Sequence, residues 1–116
     1  GKGNPEMSVV YTIGFQLCEV LVEHRKMTWD QARAALKRSD VSMVILDELN
    51  IALRYDYLPI DEVLADIAAR PPMQHVVVTG RNARPAMIEA ADLVTEMTQV
   101  AHHFKKGVKA QAGIEF

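Results

Sequence analysis

A single cysteine, Cys18, is all the sequence contains, so no disulfide can close within the chain and no cysteine-rich metal site can form. It stands in the apolar run Phe15-Gln16-Leu17-Cys18-Glu19-Val20-Leu21-Val22, where a buried, inert thiol is expected. A dominant charge is also lacking. Thirteen Lys and Arg against fifteen Asp and Glu leave a net charge of −2, which gives no general field for nucleic acid or an anionic membrane. Lys105, Lys106 and Lys109 gather near the end, where a solvated edge is the expectation. No apolar run reaches the roughly 18 residues of a membrane span, and there is no secretory signal. A reducing cytoplasm fits these absences. The chain opens Gly1-Lys2-Gly3-Asn4-Pro5 without an initiator methionine, as a fragment, a processed form or part of a longer protein would.

Several chemistries are missing as well. His24, His75, His102 and His103 show no i, i+4 spacing with a partner ligand, which argues against a zinc or iron site. No Gly-x-Ser-x-Gly elbow and no Cys–His pairing supports covalent hydrolysis. A complete phosphate loop, Gly-x-x-x-x-Gly-Lys-Ser/Thr between a strand and a helix, is absent. Gly1-Lys2-Gly3 is at most a scrap of one, with Pro5 where the helix would begin.

What is present is a core. With 116 residues, 49% of them hydrophobic, the chain is long enough for one domain, 1–116, with no repeat, low-complexity tract or dividing linker. Met7 to Ile13, closed by Gly14, reads as a strand. Phe15, Cys18, Leu21 and Val22 predict a short helix to about Arg25. Thr28-Trp29-Asp30-Gln31 has the form of a capping box, which predicts a separate helix from Trp29 to about Arg38.

From Val41 the pattern sharpens. Val41-Ser42-Met43-Val44-Ile45-Leu46 is nearly continuously apolar, as in parallel strands buried on both faces. Pro59 suits a helix start, with Asp61-Glu62 at its positive end and Ile60, Val63, Leu64, Ile67 and Ala68 as an apolar stripe. Pro71-Pro72 stops it. His75 to Thr79 predicts a strand, Pro85 to about Ala91 a helix, and Leu93 to Met97 a further strand. Strands alternating with helices imply an α/β fold with a parallel sheet.

Ligands of such sheets sit beyond the carboxyl ends of the strands. That points to Asp47-Glu48, to Thr79-Gly80-Arg81-Asn82 and to the segment after Met97. An apolar strand ending in acids has the Walker B form, whose carboxylate holds Mg²⁺ against nucleotide phosphates. The same pair would also arise if Asp47 capped the next turn and Glu48 faced solvent. Arg81 after Gly80 has the chemistry to clamp a phosphate in two-pronged fashion, although taken alone the segment is more often a turn, with Gly80 at positive φ and Arg81 paired on the surface. Tyr55 and Tyr57 flank Asp56, where packing is the commoner role for the rings.

Four separated blocks then carry a resemblance. They are Met43-Val44-Ile45-Leu46-Asp47-Glu48-Leu49-Asn50 with Tyr55-Asp56-Tyr57-Leu58-Pro59, Val76-Val77-Val78-Thr79-Gly80-Arg81-Asn82, Ala90-Ala91-Asp92-Leu93-Val94-Thr95-Glu96-Met97, and the closing Gly107 to Phe116. Together they resemble the carboxyl-terminal portion of the ATP:cob(I)alamin, or corrinoid, adenosyltransferases of the P-loop type. The match is clearest over 29–116 and poor over 1–28.

The resemblance implies a P-loop NTPase-like, Rossmann-like three-layer α/β domain that lacks a complete P-loop in this chain. It implies transfer of the 5′-deoxyadenosyl group of ATP to the cobalt of a reduced corrinoid, in cobalamin biosynthesis or salvage, with release of triphosphate. The partners it implies are ATP, Mg²⁺, the corrinoid substrate and a second subunit in a homodimer, with no nucleic acid or membrane. Glu48 and Asp47 would hold Mg²⁺ through the nucleotide, and Arg81 would approach ATP. No side chain is assigned as nucleophile or base. The alternative is a non-catalytic corrinoid- or nucleotide-binding or oligomerising module derived from the family. Met27-Thr28-Trp29 imitates a corrinoid-holding segment of the family, but the spacing back from Asp47 puts Trp29 on a helix, where core packing is expected.

Overall fold

A computed structural model of the chain describes residues 9–16 and 22–101. Cys18, the lysines of the closing segment, His102, His103 and Gly1-Lys2-Gly3 lie outside the described residues. Among the described residues three strands, β1 (Val9–Gly14), β2 (Val41–Asp47) and β3 (His75–Val78), form a parallel sheet in the order β1-β2-β3. Helix α1 (Val22–Leu36) joins β1 to β2, and α2 (Leu49–Arg54) and α3 (Ile60–Ala68) join β2 to β3. Helix α4 (Pro85–Ala90) follows with Pro85 in its first turn.

Register decides which side chains share a face. Ile13 pairs with Leu46 and Leu46 with Val78, while Tyr11 lies beside Val44 and Val44 beside Val76. Val44 and Leu46 are fully buried, in one cluster with Trp29, Ala32 and Leu36 of α1, Leu49 and Leu53 of α2, Val63 of α3 and Met87 of α4. Val9, Ile13, Val76 and Val78 pack against that cluster. The other face carries Val10, Met43, Ile45 and Val77, of which Val10 and Val77 are exposed. The apolar run of β2 led us to expect cover on both faces. Among the described residues only one face is covered, because every described helix sends its buried side chains into the same cluster.

Two local expectations are corrected. The predicted break near Thr28 does not exist. Residues 22 to 36 are one helix, and Thr28, buried in its middle, donates its hydroxyl to the carbonyl of His24 at 2.8 Å. A capping box needs the chain to leave helical geometry before the cap, and Arg25-Lys26-Met27 contains no residue that forces it out. The predicted strand Leu93–Met97 is also absent. Residues 93–101 have no regular structure, and Leu93 and Met97 are 83% and 95% exposed. Strand propensity expresses itself only against a neighbouring ladder, and no described strand lies beside this segment.

Helix α3 forms as its stripe dictates. Asp61 and Glu62 occupy its first turn and Val63 is fully buried. At its far end Arg70 donates to the carbonyls of Ile67 and Gln74 at 2.9 and 2.8 Å, satisfying groups the helix leaves open. Gln74 is buried and its amide nitrogen donates to the carbonyls of Ala35, Arg38 and Val41, pinning the exit of α1 to the start of β2.

Trp29 is a core residue, as its spacing suggested. It is 5% exposed, with its ring 6.2 Å from that of Phe15. Its indole N–H donates to Asp66 Oδ2 at 2.9 Å, and Arg33 Nε donates to the same oxygen at 3.0 Å, so α1 is tied to α3. Burial disfavours the charged form of Asp66, but the hydrogen bonds from Arg33 and Trp29, with the charge of Arg33, outweigh it and hold the carboxyl below its ordinary range.

Asp66→Ala is expected to cost about 1–3 kcal/mol, since it strands a buried indole N–H. The pH dependence has a definite sign. A carboxyl whose folded pKa lies below its unfolded value contributes stability above the unfolded value, near 3.9, and loses it as the pH falls through the folded value. Melts of wild type and Asp66→Asn should therefore differ most near neutral pH and converge in acid. A gap that widens in acid would refute the pairing.

Candidate functional site

The carboxyl ends of the three strands form one rim, held level by backbone bonds. Phe15 N–H donates to Asp47 O at 2.9 Å, and Thr79 N–H to Leu46 O at 3.2 Å. Two of the three places singled out in the sequence therefore meet, the Asp47-Glu48 turn and the Thr79-Gly80-Arg81 turn. The third, after Met97, does not, because no strand ends there.

Four hydrogen bonds fasten the two turns together. Thr79 Oγ1 donates to Asp47 Oδ1 at 2.8 Å and accepts from Glu48 N–H at 3.0 Å. Asn50 N–H donates to Thr79 O at 3.3 Å, and Asn50 Nδ2 donates to Gly80 O at 3.3 Å. Asn50 is buried, and its Oδ1 has no partner among the described residues.

The backbone at the rim departs from ordinary geometry. Glu48 precedes α2 in the left-handed region, at φ 64° and ψ 21°, with no side-chain capping bond. For a residue with a side chain this costs of order 1–2 kcal/mol and persists only where surrounding contacts enforce it. Neither Asp47 nor Glu48 caps the helix, which removes the capping alternative for the acidic pair. Gly80 has φ 126°, and a Cβ there would stand 2.9 Å from that of Asn50. Glycine is thus required both by conformation and by the close approach of α2. Asn82, at φ 55°, completes the turn.

Charge at the rim is uncommitted. Among the described residues neither carboxylate of Asp47-Glu48 takes part in a salt bridge, and nor does Arg81, which is exposed. Arg84, three residues on, differs. It is bound to Asp56 Oδ1 at 2.8 Å and to Leu53 O at 3.4 Å, and so secures the end of α2. Two half-buried carboxylates supply hard oxygen donors, and among the described residues no group of three or more His, Cys, Asp or Glu forms a protein cage. That donor set fits a Mg²⁺ ion, which keeps several waters and takes its remaining ligands from phosphate.

Of the tyrosines, Tyr57 follows the packing reading and Tyr55 is exposed. Tyr57 packs against the core with Arg25 4.9 Å above its ring, and Tyr55 stands 5.7 Å from Tyr57 with Arg54 at 5.3 Å. Sequence reasoning missed the roles of Thr79 and Asn50. Their signals were faint: a hydroxyl just past one strand end, facing an acid at the next, and one polar residue in an otherwise apolar helical turn.

Parallel sheet, helical connections and a rim at the strand ends define an α/β protein, consistent with the P-loop NTPase-like fold of the family that its sequence matches. Residues 15–116 match the family model ATP:corrinoid adenosyltransferase BtuR/CobO/CobP, and the chain belongs to that family. It is similar to a corrinoid adenosyltransferase of Pseudomonas aeruginosa, 65% identical over 88 residues that cover 76% of this chain and 43% of the relative. A corrinoid adenosyltransferase of Escherichia coli K12 is 44% identical over 88 residues, covering 76% and 45%. An uncharacterized protein of Nostoc is 36% identical over 87 residues, covering 75% and 23%. The chain spans less than half the length of these relatives. Among the described residues no helix is long and apolar enough to cross a membrane.

Proposed function

We propose that this chain forms part of an ATP-dependent corrinoid adenosyltransferase, in which the rim of Asp47, Glu48 and Arg81 faces the triphosphate of ATP. The observation that supports this most directly is the set of bonds through Thr79 and Asn50, which fastens the acid-bearing turn to the arginine-bearing turn. In the proposed reaction, the reduced cobalt of the corrinoid substrate attacks C5′ of ATP. A cobalt–carbon bond forms as the C5′–oxygen bond breaks, and triphosphate leaves. No side chain need act as nucleophile, so the protein's part is positioning and stabilisation of charge on the leaving group. Glu48 and Asp47 would hold Mg²⁺, which when bound neutralises phosphate charge. Arg81 would reach phosphate oxygens with paired N–H donors. The setting is the reducing cytoplasm, and the assembly a homodimer, which sedimentation would test.

The experiment is an anaerobic assay with Mg·ATP and chemically reduced cobalamin, using the protein at the length at which it occurs in its cell. A light-sensitive cobalt–carbon product is expected. Absence of product would overturn the transferase reading, and binding of corrinoid or ATP without product would identify the non-catalytic module instead. Arg81→Ala is expected to raise KM for ATP about 10–100-fold, the loss of a charge-assisted pair worth about 1.5–3 kcal/mol. Its melting temperature should not change, because the side chain is exposed and unpaired among the described residues. An unaltered KM would remove Arg81 from the site.

A further inference from the structure

We infer that Thr79 is a positioning residue whose single hydroxyl orients the Asp47 carboxylate and anchors the backbone that carries Glu48 at the rim. The inference rests on the reading of Asp47 and Glu48 as the Mg²⁺-linked pair.

The direction of each bond follows from the inventory of groups. A threonine hydroxyl has one proton to give and lone pairs to accept with. The backbone N–H of Glu48 can only donate, so at 3.0 Å Thr79 Oγ1 is its acceptor. The hydroxyl proton is then free for Asp47 Oδ1, 2.8 Å away. Asp47 is thereby held through one oxygen, leaving Oδ2 for another partner. The bond to Glu48 N–H does different work, since Glu48 occupies the left-handed region, where an ordinary residue stays only if held. Thr79 is itself fixed through its backbone, its N–H on Leu46 O and its carbonyl on Asn50 N–H. Branching at its Cβ further restricts the side-chain torsion that aims the hydroxyl. One atom on β3's exit thus holds the Asp47 carboxylate directly and fixes the backbone from which Glu48 projects.

The test measures binding of Mn²⁺, a paramagnetic stand-in for Mg²⁺, in the presence of ATP, by electron paramagnetic resonance, on the protein at its natural length. Thr79→Val keeps the shape and deletes the hydroxyl, and Thr79→Ser keeps the hydroxyl. Loss of a group that orients metal ligands typically lowers metal affinity about 10–100-fold. Thr79→Val should show that fall, with Thr79→Ser within about threefold of wild type; melting curves run in parallel confirm that the variants are folded at the assay temperature. If Thr79→Val does not fold, Thr79→Ala serves in its place. Should the hydroxyl-free variant bind Mn²⁺ as wild type does while Glu48→Ala abolishes binding, the positioning role is overturned and the acidic site stands. Should wild type itself show no ATP-dependent Mn²⁺ binding, the reading of the acidic pair fails and the inference with it. A fall of equal size in Thr79→Ser and Thr79→Val would also overturn it, since the hydroxyl would then not be the agent.

Discussion

Glu48→Ala is expected to lower kcat/KM for Mg·ATP about 10²–10³-fold, the range seen when one preorganised electrostatic contact to a developing charge is removed. The prediction rests on position. Glu48 is half-buried at the end of the central strand, has no salt-bridge partner among the described residues, and is fastened by its backbone to the neighbouring strand exit. Glu48→Gln, which keeps the shape and removes the charge, should lose nearly as much. Glu48→Gly should be at least as stable as wild type, because glycine meets no steric penalty at φ 64°. Stability retained with activity lost would mark a residue kept in a strained conformation for what its carboxylate does. Turnover at the wild-type level in all three variants would remove Glu48 from the site. Steady-state kinetics and a thermal melt on the same preparations decide the matter.

Gly80→Ala should be the most damaging small substitution at the rim. Its φ of 126° is a conformation that residues with a Cβ rarely adopt, and the added carbon would lie 2.9 Å from the Cβ of buried Asn50. Strain and overpacking together are expected to cost about 2–4 kcal/mol. For a domain of this size that lowers the melting temperature by roughly 10 °C or more. The backbone must shift to relieve the contact, and Arg81 is the next residue. A fall in ATP use beyond that explained by the unfolded fraction is therefore expected. Measuring KM for ATP well below the melting temperature separates the two effects. A variant with an unchanged melt would show that α2 leaves room for a Cβ at Gly80.

The sequence was most legible where local pattern and tertiary environment agree. The run from Val41 into Asp47 became the central strand, the stripe from Ile60 became α3, and Pro85 began α4. In the first two cases the residues that favour the element also meet the core, whereas exposed Pro85 starts α4 through its fixed backbone torsion. Reading failed where a local preference had no tertiary partner or was overruled by one. Leu93 to Met97 has strand-forming residues and, among the described residues, no strand to pair with. Thr28 has the chemistry of a cap, but sits inside a helix that gives it the carbonyl of His24 instead. At the rim, Asp47, Glu48 and Arg81 stood out because charge at the end of an apolar strand is visible in one dimension. Thr79 and Asn50 did not, because each acts on a residue about thirty positions away, and nothing in the adjacent sequence marks that pairing.

The division has a physical basis. Composition and periodicity by themselves determined that this chain folds as parallel α/β, where its strands run, and that acids follow one of them and an arginine another, because burial of apolar side chains has a period that the sequence displays directly. Only the tertiary structure decided which sheet face is covered and which turns are fastened to each other. It also decided which hydroxyl bonds to Asp47 and to the backbone of Glu48, because hydrogen bonds are short and directional and depend on strand register, which brings distant residues to within 3 Å without leaving a trace in either one's neighbours.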